Sequence, residues 1–140
     1  MAKILFVSPE ALSEEYGNFL SNLAKKYKVT HVEHGIDMMS ELRKEQMEIG
    51  ILDEPDAPEY DLVICDAGLF FSQLPPKERA EYFTKEILPY LKGIELPVIL
   101  LAEKDMSHYI REAVTRSGIT QFDKPFDVDK VLEAVDSLNI

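Results

Sequence analysis

The chain has 140 residues, 46% of them hydrophobic, and its 26 acidic and 15 basic residues give a formal net charge of −11. This length and apolar fraction predict a single globular domain over residues 1–140 with a substantial core. A surface this acidic repels DNA, RNA and anionic lipid, so we expect neither a nucleic acid nor a membrane as partner.

Five short apolar runs predict β-strands at residues 3–7, 28–33, 62–65, 98–101 and 119–122. The first, third and fourth runs are almost entirely hydrophobic, which is typical of strands covered on both faces. The first run begins at once, without the apolar stretch of a signal peptide or of a membrane span. This start predicts a cytoplasmic protein.

Amphipathic segments between and after the runs predict five helices. Asp37 and Asp127 are the predicted N-caps of the second and fifth helices, and Gly118 is the predicted C′ residue of the fourth. Pro89 lies inside the third helix and predicts a kink or an early end there. The apolar positions at helical spacing are Leu12, Tyr16, Phe19, Leu20, Leu23 and Tyr27; Met38, Met39, Leu42 and, as a polar member, Gln46; Ala80, Phe83, Ile87 and Leu91; Tyr109, Ile110, Ala113 and Val114; and Val128, Val131, Leu132, Val135 and Leu138.

The alternation of strands and helices predicts an α/β fold with a five-stranded parallel sheet and helices on both faces. Strand order 2-1-3-4-5, the flavodoxin-like order, is the common one at this length. Residues 48–59 hold two prolines and five acids. We interpret them as an acidic loop with a short extended piece at 49–52.

Two charged residues stand at the ends of the third and fifth strands of this predicted sheet. Asp66 ends the third apolar run, and Lys124 follows the fifth, directly before Pro125. In a parallel sheet both lie at the carboxyl edge, where such folds bind ligands. A carboxylate facing an ammonium there is either a phosphoryl acceptor beside its charge partner or a plain ion pair.

Three segments carry a resemblance to a known family. They are 61–66 (DLVICD), 96–101 (LPVILL) and 118–126 (GITQFDKPF). With these segments in this order, the chain resembles the receiver domain of two-component response regulators over essentially its whole length. The resemblance implies that Asp66 accepts a phosphoryl group from a kinase phosphohistidine, that Lys124 is the phosphate partner, and that the Lys124–Pro125 bond is cis. It also implies Mg²⁺ as cofactor, bound in part by Asp66 and the backbone carbonyl of Gly68.

The metal site departs from the family pattern. Ser8 and Pro9 stand where the family has two adjacent acids after the first strand. Mg²⁺ prefers oxygen ligands that include one or two carboxylates. Glu10 lies one position beyond the usual pair and could serve only through rearrangement, so we expect Mg²⁺ binding to be weak.

Two further positions depart from the family's switch. Ala102 stands where the family has a threonine or serine that bonds the phosphoryl oxygen, and Gln121 stands where it has an aromatic residue, with Phe122 next to it. The acceptor and the lysine are therefore present, while the metal acids, the sensing hydroxyl and the switch ring differ.

The function that we expect from this combination is non-enzymatic. A stand-alone receiver-like module would contact a histidine kinase or a downstream signalling protein, with weak or no Mg²⁺-dependent phosphorylation. The family's usual contact face, formed by the fourth helix, fifth strand and fifth helix, would present Tyr109, Arg111, Gln121 and Phe122, and the same face could form a homodimer.

Two alternatives stay open. In one, Asp66 is phosphorylated and Glu10 replaces the missing acids. In the other, the chain is a flavodoxin-like binder of a small molecule, which Ser8–Pro9–Glu10 disfavours because an acid stands where a bound anion would sit.

Other reactive residues receive structural interpretations. Cys65 stands alone in an apolar run, which predicts a buried inert thiol. His31, His34 and His108 lack neighbouring cysteines and a clear third ligand, so we expect surface histidines and no metal site. Asp53 also follows an apolar residue, but its distance from Lys124 fits the family spacing worse than that of Asp66. Met38, Met39 and Met47 are predicted to pack in the core.

Overall fold

A computed structural model describes residues 2–8, 14–42, 60–67, 75–124 and 126–140. The strands are β1 (Lys3–Val7), β2 (Lys28–Val32), β3 (Leu62–Asp66), β4 (Val98–Glu103) and β5 (Thr120–Lys124). Helices α1 (Glu14–Ala24), α4 (Lys104–Ser117) and α5 (Val128–Ser137) are regular. Helix α2 covers 35–42, and α3 covers 76–93 in three consecutive segments, described below.

The five strands form one parallel sheet in the order β2-β1-β3-β4-β5, which confirms the predicted fold class and topology. Three strands run further than the apolar pattern predicts, since β3 continues to Asp66, β4 to Glu103 and β5 to Lys124, whereas β2 ends one residue earlier than predicted, at Val32. Asp66 pairs with Leu101, and Lys124 pairs with Glu103. Both charged residues are therefore held inside strands at the carboxyl edge of the sheet.

Two hydrophobic clusters cover the two faces of the sheet. Helices α2, α3 and α4 pack on one face, and α1 and α5 pack on the other. The central strands β1, β3 and β4 are buried on both faces as predicted. The buried helical side chains include Met38, Leu42, Ala80, Phe83, Ile87, Leu91, Ile110 and Val114 on the first face, and Tyr16, Phe19, Leu23, Val131 and Val135 on the second.

Helix α2 begins earlier than predicted. Its first turn starts at residue 35, and the amide of Met38 donates to the carbonyl of His34. The prediction that Asp37 is the N-cap is therefore wrong. Asp37 lies inside the first turn, where a carboxylate interacts favourably with the helix dipole instead of capping an amide. Asp127 does cap α5, since its side chain accepts from the amides of Asp129 and Lys130.

Helix α3 passes through Pro89 and does not end there. An α-helical segment at Pro76–Tyr82 is followed by a π-helical segment at Phe83–Ile87, and the helix then continues over Leu88–Gly93. The amide of Leu88 donates to the carbonyl of Phe83, five residues back. Pro89 has no amide hydrogen and cannot continue the regular bonding pattern. The distortion therefore takes the form of a π-helical stretch just before the proline.

Glycine substitutions at two sites are expected to change stability in opposite directions. Gly118 ends α4 with φ +80°, and a Cβ there meets no atom within 4 Å. Gly118→Ala should therefore destabilise through backbone strain alone, by about 1–2 kcal/mol. Gly17 lies inside α1 with equal space around a Cβ, so Gly17→Ala should stabilise by about 1 kcal/mol. Urea unfolding of both variants tests the pair, and the same sign for both would contradict the assigned backbone conformations.

A polar contact joins the turn after α1 to α5. The hydroxyl of Tyr27 donates to Asp136 at 2.5 Å, and Lys26 donates to the same carboxylate at 3.3 Å. The bond to Asp136 raises the pKa of Tyr27 to about 12. The bonds from Tyr27 and Lys26 lower the pKa of Asp136.

The pH dependence of this contact follows from the two directions. Tyr27 is more acidic in the unfolded chain, so its contribution to stability is present at neutral pH and is lost as pH rises from about 10 to 12. The contribution of Asp136 is lost in acid, as pH falls through its lowered pKa. Phenolate absorbance should show one tyrosine ionising late, and Asp136→Asn should return it towards the ordinary range. An unchanged late titration in that variant would contradict the contact.

Several predictions fall on residues that the structure leaves undescribed. These are the helix positions Leu12 and Gln46, the core position of Met47, the alternative acceptor Asp53, and the acidic loop 48–59 with its extended piece. Among the described residues, no helix has the length and apolar character needed to cross a membrane.

Candidate functional site at the carboxyl edge of the sheet

Asp66 is a buried carboxylate at the end of β3. All five residues of β3 are buried, and Asp66 is 2% exposed. A carboxylate removed from water needs partners that replace its hydration. Among the described residues, Lys124 on β5, Ser8 after β1 and Tyr16 on α1 provide such partners at its Oδ2 atom.

Lys124 provides the opposite charge. Its Nζ lies 2.5 Å from Asp66 Oδ2, and its side chain is 11% exposed. Burial of Lys124 disfavours the ammonium, but the charge of Asp66 and the hydrogen bonds to Asp66 and Tyr16 outweigh burial, so the pKa of Lys124 is raised. The structure thus brings together the two residues that the sequence predicted to meet, as a buried ion pair.

Ser8 follows β1 and lies against the same carboxylate. Its hydroxyl donates to Asp66 Oδ2 at 3.3 Å, and its side chain is fully buried. Its amide donates to the carbonyl of Val32 at 3.1 Å, which continues the pairing of β1 with β2. At a position where the resemblance places an acid, this chain therefore has a neutral hydrogen-bond donor directed at Asp66.

Tyr16 is the third donor, and the sequence reasoning did not identify it. Its hydroxyl donates to Asp66 Oδ2 at 3.3 Å, and Lys124 Nζ lies 5.5 Å from the centre of its ring. The ring packs between Phe6 and Phe126 at centroid distances of 5.5 and 5.6 Å. In the sequence, Tyr16 is one of several apolar residues at helical spacing, and this pattern does not distinguish it from the other core residues of α1. The available signal was its hydroxyl, because a buried tyrosine needs a polar partner.

The described residues around Asp66 do not fit Mg²⁺. Mg²⁺ requires near-octahedral oxygen coordination and favours carboxylates. The carboxylate here is already paired with an ammonium, and Ser8 and Tyr16 bring neutral hydroxyls that donate to it. In the part of the chain that the structure covers, no three His, Cys, Asp or Glu side chains are grouped to hold a metal. Glu10, Gly68 and Pro125 lie outside the described residues, so their predicted roles stay predictions.

Ala102 is placed near the site but brings no polar group. It follows Leu101, the ladder partner of Asp66, and is fully buried in the cluster against α2, α3 and α4. Its methyl group cannot form a hydrogen bond to a bound phosphoryl group.

Cys65 is buried as predicted. Its burial raises the pKa of its thiol, and the negative charge of Asp66 raises it further. A thiol held protonated in this way is a poor nucleophile.

The predicted contact face contains an ion pair centred on Asp123. Arg111 on α4 pairs with Asp123 on β5, and the Gln121 Nε2 atom donates to Asp123 Oδ1 at 3.0 Å. The sequence reasoning named Arg111 and Gln121 but not the carboxylate that joins them. Together they border an open groove of about 340 Å³, whose lining residues are Arg111, Val114, Thr115, Ile119, Gln121, Phe122 and Asp123.

The other two predicted contact residues differ in exposure. Tyr109 is 51% exposed on α4. Phe122 is half-buried and packs against the cluster under α1 and α5. Of the predicted aromatic pair, Tyr109 therefore offers the larger free surface.

Solved structures share this architecture along nearly the whole chain. A response regulator receiver protein from Burkholderia phymatum matches with a TM-score of 0.61 at 19% identity, over 98% of this chain and 94% of that chain. One from Sinorhizobium medicae matches with a TM-score of 0.60 at 19% identity, over 98% and 93%. The receiver domain of the hybrid histidine kinase CckA gives 0.58 at 19%, over 97% of both chains.

No protein-family model and no curated protein sequence matches the chain. At 19% identity the structural similarity shows the fold, and the chemistry has to be inferred from the residues of this chain. By its sheet order, its helix placement and these matches, the chain has the fold of response regulator receiver domains.

Proposed function

We propose that this chain is a receiver-like signalling module of a two-component system that acts through protein–protein contacts, with weak or no Mg²⁺-dependent phosphorylation of Asp66. The fold supports the signalling class. One observation carries the specific part of the proposal: the Oδ2 atom of Asp66 is 2.5 Å from Lys124 Nζ and also accepts from Ser8 and Tyr16. The acceptor is neutralised from within the protein.

Phosphoryl transfer requires conditions that this arrangement opposes. An attacking carboxylate oxygen must reach a phosphodonor in line, and the developing charge on the phosphoryl oxygens must be neutralised. A divalent ion normally supplies much of that charge. Here Lys124 is committed to Asp66, and the buried carboxylate is 2% exposed. We therefore infer that the module keeps one state and signals through its surface.

The proposed contact surface is the groove between α4 and β5. The Oε1 atom of Gln121 is buried and has no hydrogen-bond partner among the described residues. A buried amide oxygen without a partner is unfavourable, so a rotation of the Gln121 side chain that lets a partner protein donate an N–H to it would be favoured. Because Arg111 and Asp123 neutralise each other, the groove favours a polar, uncharged contact. We propose a histidine kinase or a downstream signalling protein as the partner that binds this groove. The alternative is a second copy of this chain, and sedimentation of the purified protein would detect such a dimer.

Intact-mass measurement after incubation with acetyl phosphate and Mg²⁺ tests the proposal. We expect no phosphoryl adduct on the chain, and identical masses for the wild type and for Asp66→Asn. A receiver of the usual type, treated in parallel, shows that the reagent is active. A substantial adduct that disappears in Asp66→Asn would overturn the proposal.

A further inference from the structure

His31 is an exposed residue that makes a specific contact with the Asp66 site. It lies on β2, the outermost strand on one side of the sheet, and pairs with Phe6 of β1. Its Nε2 atom lies 2.9 Å from the carbonyl oxygen of Ser8, and its ring lies 5.9 Å from that of Phe6. The sequence predicts His31 only as a surface histidine and does not predict this contact.

The contact determines that the Nε2 atom of the ring carries a hydrogen. A backbone carbonyl only accepts hydrogen bonds, so the Nε2 atom of His31 must carry the hydrogen. This condition is met by the neutral tautomer protonated at Nε2 and also by the imidazolium, which donates from both nitrogens. The contact therefore does not depend on whether the ring is charged.

Three hydrogen bonds join Ser8 to other described residues. Its amide donates to Val32, its carbonyl accepts from His31, and its hydroxyl donates to Asp66. Two of these three bonds come from β2. Since Ser8 follows the last residue of β1, these bonds contribute directly to where its side chain points.

We propose that His31 is a positioning residue for the Asp66 site: its Nε2–H holds the Ser8 carbonyl and so keeps the Ser8 hydroxyl directed at Asp66. Two hydrogen bonds then connect His31, on the outermost strand β2, through Ser8 with the Asp66 carboxylate, which is 2% exposed. A protein that contacts His31 from outside would thereby act on Asp66. The value of this connection for signalling rests on the proposed function, but the contact itself does not.

NMR of the wild type and of four variants tests the proposal without any phosphorylation step. A long-range nitrogen spectrum should show the His31 ring protonated at Nε2. In His31→Ala the Asp66 Cγ resonance should shift, and the Ser8 amide should exchange about five-fold faster, as expected for the loss of one net hydrogen bond. In His31→Gln, whose side-chain amide can donate, both values should return towards wild type. His34→Ala, an exposed histidine three residues further on, should leave both unchanged.

Three results would overturn the proposal. The first is a His31 ring protonated only at Nδ1. The second is an Asp66 resonance that does not move in His31→Ala although it moves in Ser8→Ala. The third is amide exchange that accelerates equally at Leu5 and Ser8 in His31→Ala, because this would show a general loss of stability. A phosphoryl adduct on the wild type would refute the proposed function and leave these outcomes unaffected.

Discussion

Lys124→Met is expected to lower the free energy of unfolding by about 3–5 kcal/mol, the typical effect of removing one member of a buried ion pair. Lys124 and Asp66 lie 2.5 Å apart, and their side chains are 11% and 2% exposed. Methionine preserves most of the aliphatic volume but leaves the carboxylate without its counter-charge. Urea unfolding monitored by circular dichroism measures the loss.

Two controls separate the ion pair from general packing damage. The double variant Lys124→Met with Asp66→Asn should recover a large part of the loss, because the unpaired charge is gone. Lys26→Met breaks an exposed pair with Asp136, whose side chains are 67% and 44% exposed. It should lower the free energy of unfolding far less than Lys124→Met does, because an exposed ion pair contributes little to stability. Equal losses for Lys124→Met and Lys26→Met would show that the Asp66 pair is not buried as described.

Ser8→Asp is expected to make the protein sensitive to Mg²⁺. The new carboxylate would lie beside Asp66, which the Ser8 hydroxyl now contacts at 3.3 Å. Without a divalent ion the additional buried charge should destabilise the fold by about 3 kcal/mol. With Mg²⁺ at ten times its Kd, binding should restore about 1.4 kcal/mol. Thermal unfolding with and without MgCl₂, at matched ionic strength, measures both effects.

Ser8→Ala is the matched control for this variant. It removes the same hydroxyl without adding charge. Its midpoint of thermal unfolding should therefore lie below that of the wild type by the same amount with and without Mg²⁺. The wild type should not respond either. If Mg²⁺ raised the wild-type midpoint as much as that of Ser8→Asp, the native residues would already hold the ion. If Ser8→Asp failed to respond, position 8 would not be a place from which a carboxylate can bind the metal.

The sheet could be predicted from the sequence because its signal is local and redundant. Continuous apolar runs such as those of β1 and β3 occur where a strand is covered on both faces, and the structure buries them in that way. The N-cap at Asp127 and the C′ position of Gly118 were equally readable. Asp37 misled because aspartate is favoured both at the N-cap and within the first turn, and the sequence does not separate the two.

The partners of Asp66 could be predicted only in part. Lys124 was found because parallel strands end at the same edge of the sheet. Tyr16 comes from α1, and its contact depends on the angle at which that helix packs, which periodicity does not determine. His31 reaches Ser8 only through the register of β2 against β1. In both cases the missing information was the relative placement of two elements.

A Mg²⁺ titration of the wild-type protein, followed at the Asp66 Cγ and Lys124 amide resonances, tests the central claim most directly. The internal neutralisation of Asp66 predicts no saturable shift at millimolar Mg²⁺, whether or not beryllofluoride is added as a phosphoryl mimic. A saturable shift at both residues that beryllofluoride strengthens would show a working cation and phosphoryl site, and would contradict the account.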